Sequence, residues 1–168
     1  VRPFSDAVSS TTPDPFGKDI MIPPGMMVED PQTVPPSQSL SKNPVPHDLI
    51  RSVQPRIELI NGIHGGTYHV YAYANPEERG EAYLKVFEAT QNTPLSADAI
   101  RHCSTKLMRW SRDSQFGQEL LYHSEITVYE GAWGTFYPAR FELWFQPVSG
   151  GPERKLLEKI FRIQGWGR

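Results

Sequence analysis

Five histidines, one cysteine and a scatter of carboxylates are the residues of this 168-residue chain with types suited to chemistry. His64 and His69 stand five apart in HGGTYH. That spacing fits no common ligand motif, and within one strand parity sends the two rings to opposite faces. His102 and Cys103 are adjacent in a run with helical character. Neighbours on a helix point about 100° apart, so the imidazole is poorly placed to activate the thiol, and Cys103 is expected to be a buried structural residue. A lone cysteine leaves no internal disulfide, no Cys-x-x-Cys zinc site and no Cys-x-x-Cys-His haem site. Glu125, Glu130 and Glu142 have the functional groups of an acid/base pair, but nothing in their spacing selects two of them. There is no Gly-x-Ser-x-Gly elbow and no phosphate loop; the glycine-rich Asn61–Gly66 precedes a strand and reads as a tight turn. These residues predict a non-enzymatic protein with no catalytic residue, cofactor or metal site.

Binding is the better-supplied chemistry. The run YEGAWGTFYPARFELWF, from Tyr129 to Phe145, is dense in large aromatics. Strand alternation predicts Phe141, Leu143 and Phe145 as core and puts Trp144 on the opposite face. The segment Glu130–Pro138 holds two glycines and a proline and is expected to be a loop, which places Trp133, Phe136 and Tyr137 outside the strands. Trp166 lies between glycines beyond the last strand. Such aromatics cap a core, anchor a protein partner or stack on sugar rings. The carbohydrate alternative uses Trp133, Tyr137 and Trp144 as its platform.

The elements that must position these rings occupy residues 56–168. TYHVYAYA alternates, with Tyr68, Val70 and Ala72 on one face and His69, Tyr71 and Tyr73 on the other. Asn75–Gly80 reads as a turn, and EAYLKVFEAT follows, so the two runs are expected to form a hairpin. SADAIRHCS is the one short helix, with Ser96 as its cap and Asp98 in its first turn. LLYHSEITVYE, ARFELWFQ and RKLLEKIFRIQ read as further strands, the last with a mildly basic edge that guards against sheet-to-sheet pairing. Six or seven short strands with regular turn signals predict an all-β, antiparallel β-sandwich of immunoglobulin-like or fibronectin-like type with one helical insert. The comparison is architectural and carries no functional residues with it.

Residues 1–55 are different. Eleven of the sixteen prolines lie there, and only two of the aromatics, Phe4 and Phe16. Proline removes amide donors and fixes φ, so this stretch is expected to be an extended proline-rich arm with no sheet or helix of its own. Fully extended, it would reach on the order of 150 Å. Its one apolar cluster is IMIPPGMM, and Ile20, Met21, Ile22, Met26 and Met27 are the expected partner-docking residues, since methionine adapts to irregular grooves.

A formal charge of −2 and a pI near 6.2 supply no field for nucleic acid. No apolar run of spanning length exists in the sequence, so an anchor would have to lie upstream. The first residue is Val1, which is read as a sign of removal of a leader and of an extracytoplasmic location, periplasmic, cell-surface or secreted. Together these features predict a structural or accessory subunit that binds neighbouring proteins of a filament, coat or membrane-bound assembly through its arm, the alternative being a carbohydrate-binding or adhesive module.

Overall fold

The computed structural model describes Phe16 and residues 19–33, 55–108 and 120–167, with side chains left out at 107, 108, 120 and 121. The rest of the arm, including Pro35-Pro36 and Phe4, lies outside the described residues. Among the described residues eight strands and one helix follow in the order β1 (Arg56–Asn61), β2 (Thr67–Ala74), β3 (Gly80–Glu88), β4 (Thr93–Pro94), α1 (Ala97–Ser104), β5 (Lys106–Met108), β6 (Leu120–Thr127), β7 (Phe136–Pro147) and β8 (Arg154–Gln164). They form two antiparallel sheets, one ordered β1-β2-β6 and the other β4-β3-β7-β8, with β5 also paired to β3. This is an all-β sandwich. No helix among the described residues is long and apolar enough to cross a membrane.

Period-2 alternation sets the inner faces. Ile57 and Leu59 of β1, Tyr68, Val70 and Ala72 of β2, and Tyr122 and Ile126 of β6 are buried against Leu84 and Val86 of β3, Phe141, Leu143 and Phe145 of β7, and Phe161 and Ile163 of β8. Full burial of one such side chain is worth roughly 1.5–3 kcal/mol, which makes this interface the main stabilising term. The hairpin expected from β2 and β3 does not form. Asn75–Arg79 instead carries the chain from one sheet to the other, β2 pairing with β1 and β6 while β3 pairs with β7. A short turn signal between two strands reads the same whether the chain doubles back within a sheet or crosses the core.

Each side of the sandwich has a closure. On one, α1 contacts both β3 and β6 and buries Ile100 and Ser104. Leu84 N donates to Ser104 Oγ at 3.0 Å, Ser124 Oγ donates to the Cys103 carbonyl at 3.1 Å, and the Tyr122 hydroxyl donates to the Ser104 carbonyl. The last carbonyls of the helix thus find partners on β6, while the Ser104 hydroxyl meets an amide of β3 on the other sheet. The Cys103 thiol, expected to be buried, is exposed; only its backbone faces the strands. Ser96 stands at the N-cap position but makes no side-chain cap. Its φ is +44°, and its hydroxyl donates to Glu130 Oε1 at 2.7 Å and accepts from Tyr129 N at 2.9 Å, tying the helix start to the β6–β7 loop instead.

The other side is closed by residues 19–33 of the arm. Ile20 N donates to the Phe136 carbonyl at 3.0 Å, and Phe136 N donates to Asp19 Oδ1 at 2.7 Å. Glu29 exchanges backbone bonds with Ile160 and Arg162 of β8 at 3.0 and 2.8 Å, and Gln32 exchanges them with Leu59 and Asn61 of β1 at 2.8 and 2.9 Å. These are isolated bridges rather than a ladder, as expected of a segment in which proline removes donors. Phe16 meets Tyr137 edge-on at 4.9 Å between ring centroids, and both Phe16 and Ile20 pack against the core.

Backbone closeness at one end of the sandwich generates a stability prediction. Gly66 has φ +88°, and a Cβ there would lie 2.3 Å from Trp166 N; Gly134 has φ +85° with nothing within 4 Å. Gly66→Ala is expected to lose about 3–4 kcal/mol and Gly134→Ala only about 1 kcal/mol, the positive-φ cost alone, as read from urea midpoints at unchanged m.

Candidate functional site

The β1–β2 turn, the β6–β7 loop and the C-terminal tail meet at one end of the sandwich. Val128 N donates to the Gly66 carbonyl and Trp166 N to the Val128 carbonyl, both at 2.8 Å, while Trp133 N donates to the Gly167 carbonyl at 2.9 Å. Glycines let these backbones approach: a Cβ on Gly165 would sit 1.9 Å from the Glu130 carbonyl oxygen. On this base the rings of Tyr129, Trp166, Trp133 and His64 follow one another at centroid distances of 6.4, 6.4 and 6.5 Å. The indole N–H of Trp133 donates to the Gly65 carbonyl at 2.7 Å, which fixes the ring. Tyr129 (56% exposed), Trp133 (43%), Trp166 (37%) and the nearby Ile63 face solvent.

The aromatics selected from sequence therefore divide. Trp133 and Trp166 are joined in one exposed ridge. Phe136 and Tyr137 are not on a loop; β7 already begins at Phe136. Tyr137 is fully buried, its hydroxyl donating to the Glu130 carbonyl at 2.6 Å, and burial raises its pKa above the usual tyrosine range. Phe136 is half-buried beneath the Arg162 guanidinium, 4.1 Å from the ring centroid. Trp144 lies on the outer face of the larger sheet, where Lys85 Nζ stands 3.9 Å from its ring centroid and its indole N–H donates to Glu142 Oε1 at 2.8 Å. The platform of Trp133, Tyr137 and Trp144 does not assemble, because one ring is in the core and another is on a sheet face. In the arm, Met21 (84%) and Met27 (87%) are exposed, whereas Ile20, Ile22 and Met26 are partly buried.

A cleft of about 320 Å³ opens where the ridge meets the arm. Asp30 and Asn61 line it, with His64, Phe136, Arg162 and Gln164. Tyr68 shares the lining; its hydroxyl accepts from Gln164 N at 2.9 Å, and burial pushes its pKa up to about 12. Gln164 Oε1 accepts from Gly134 N at 2.7 Å. Little in the sequence warns of this site, since its residues come from the arm, the β1–β2 turn and four strands, β1, β2, β7 and β8. Parity on β8 did carry part of it: Phe161 and Ile163 point inward, so Arg162 and Gln164 point away from the core.

The three glutamates singled out from sequence, and His69 and His123, are engaged elsewhere. Glu130 accepts from Ser96 N and Oγ at 2.8 and 2.7 Å. Glu142 is buried and accepts from Arg140 Nε at 2.6 Å and from Trp144. On the outer face of the smaller sheet, His123 Nε2 lies 3.4 Å from His69 Nδ1, and His69 Nε2 lies 3.5 Å from Glu125 Oε2. Tyr71 stacks on His123 at 4.5 Å. Among the described residues no three His, Cys, Asp or Glu side chains converge to hold a metal ion. Burial, then the nearby Lys106 and His69, depress the His123 pKa from 6.5 to about 4.

No protein-family model matches the chain, and neither a curated protein nor a solved structure matches it.

The depressed imidazole generates a pH prediction. Between pH 6.5 and about 4 the unfolded chain holds a proton on His123 that the folded chain does not. Stability therefore falls as the pH drops through that window and is unaffected by this group above it, on the order of 1–2 kcal/mol in all once partial solvent access is allowed for. H123Q is expected to flatten this part of the pH profile relative to the parent chain in denaturant titrations; an unchanged slope would refute the assignment to His123.

Proposed function

We propose that this chain is a non-catalytic accessory subunit that docks onto a neighbouring protein of a larger assembly through the Ile20–Met27 segment of its arm. One observation carries the reading. The arm is pinned to the sandwich at Ile20 and again at Glu29 and Gln32, and the stretch between the pins holds Met21 and Met27 out in solvent, 84% and 87% exposed. A turn shapes that stretch: Met26 N donates to the Pro23 carbonyl at 3.2 Å, with Pro24 in the second position and Gly25 at φ +88° in the third. Proline and the turn bond reduce the entropy lost on docking, and burial of each methionine against a partner is worth roughly 1.5–3 kcal/mol. Thioether side chains also adapt to an irregular partner surface.

The same proposal takes the sandwich as immunoglobulin-like or fibronectin-like, a rigid body suited to carrying such a segment. The order β1-β2-β6 facing β3-β7-β8 supports this, following strands A-B-E and C-F-G of that architecture. Tyr137 gives further support: it stands near the start of the penultimate strand, with its hydroxyl bonded back to the Glu130 carbonyl, as the tyrosine at the E–F corner of such folds does.

The test is a double substitution, Met21→Asp with Met27→Asp. Both side chains are solvent-exposed, so the thermal midpoint is expected to shift by no more than about 2 °C. Purified natively from its cells of origin, the parent chain is expected in a stoichiometric complex by light scattering and the variant as a monomer. A monomeric parent chain, or a variant that still assembles, would remove the proposal.

A further inference from the structure

We infer that the cleft between the arm and the end of the sandwich is a saccharide-binding site, separate from the arm's docking segment and independent of it. The argument starts from the groups the fold leaves available there. Arg162 stands on β8, its guanidinium carbon over Phe136 at 4.1 Å from the ring centroid. Asp30 is placed beside it by the backbone bond from Arg162 N to the Glu29 carbonyl at 2.8 Å. Both line the cleft, yet no ion pair joins them, and among the described residues neither side chain has another ion-pair partner. Asn61, His64 and Gln164 add amide and imidazole groups to the same wall. Asn61 is held by its Nδ2 bond to Thr33 Oγ1 at 3.4 Å and Gln164 by Gly134, which leaves the Asn61 carbonyl oxygen and the Gln164 amide nitrogen for a ligand.

The wall therefore offers both donors and acceptors on planar groups. Paired hydroxyls, each both donor and acceptor, satisfy such a wall, since carboxylate and guanidinium groups make forked contacts. Other ligand classes fit less well. A polyphosphate or nucleic acid meets only one guanidinium, beside a carboxylate, on a chain of net charge −2. An apolar ligand would strand these polar groups without partners. Asp30 and His64 are too few to hold a metal ion. The ridge supplies what a sugar ring also needs: His64 on the cleft wall lies nearly parallel to Trp133, 9° between planes, and Trp133 remains 43% exposed for contact with the apolar face of a pyranose. The cleft volume of about 320 Å³ accommodates one or two rings, with the ridge continuing past Trp133 to Trp166 and Tyr129 for a longer chain.

The experiment is a titration of the full chain with soluble hexaoses of glucose, N-acetylglucosamine, xylose, mannose and galacturonic acid, followed by tryptophan fluorescence and calorimetry. At least one is expected to saturate at about millimolar concentration or below. Asp30→Asn and Arg162→Gln are each expected to weaken that binding about tenfold or more, as loss of a charged hydrogen-bonding partner does. Arg162→Lys, which retains the charge and most of the apolar stem over Phe136, is expected to fold as the parent does and still lose affinity, because the fork is gone. Met21→Asp with Met27→Asp is expected to bind sugar normally, so failure of the docking proposal and failure of this one are distinguishable. The inference is overturned if no hexaose binds at about 10 mM, or if binding survives Asp30→Asn and Arg162→Lys undiminished.

Discussion

Two antiparallel sheets that bury one face each against the other satisfy their inner surfaces but not their edges, and this constraint organises the molecule. Every unpaired backbone amide or carbonyl at a buried seam costs free energy comparable to a lost hydrogen bond. On one side α1 spans the seam, and its terminal carbonyls are met by Tyr122 and Ser124 of one sheet while Ser104 serves the amide of Leu84 on the other. On the other side the arm spans it, Glu29 completing the edge of β8 and Gln32 the edge of β1. The residues that bind in the two proposals owe their positions to that second closure. Met21 and Met27 stand out because the chain is held at Ile20 and Glu29, and Asp30 enters the cleft because it follows the bridge to β8.

A second knot holds the far end together. Glu130 uses its carboxylate for Ser96 and its carbonyl for the Tyr137 hydroxyl, so helix, loop and penultimate strand converge on one residue. The unusual left-handed backbone of Ser96 is the local cost of giving up an ordinary cap for this link. Gly66, Gly165 and Gly167 then admit the C-terminal tail against the β1–β2 turn and the β6–β7 loop, which is why Trp133 and Trp166 end in a single ridge although 32 positions separate them.

The arm was expected to dock on neighbouring proteins through its apolar cluster. Residues 19–33 lie instead along their own sandwich, with Phe16 and Ile20 against its core. Proline removes amide donors along this stretch. Composition does not reveal that single amides between prolines, at Glu29 and Gln32, bridge to the edges of β8 and β1, with Ile20 bonded to the Phe136 carbonyl. The proposed docking accordingly rests on the two exposed methionines rather than on the whole cluster.

Alternation in β7 was enough to name Phe141, Leu143 and Phe145 as core, and in β2 to set Tyr68 and Val70 on one face, because side-chain direction in a strand is a local property of period two. The same locality placed His64 and His69 apart and set Trp144 on an outer face. What alternation cannot carry is which strand lies beside which. The β2–β3 connection looked like a hairpin and is a crossing between sheets; Tyr137 looked like loop and is core; the Cys103 thiol looked buried and is exposed. The cleft of Asp30, Asn61, Arg162 and Gln164 was invisible for the same reason. Local pattern determines the face on which a side chain stands, whereas a site built from four separate segments exists only once long-range pairing has brought their backbones together.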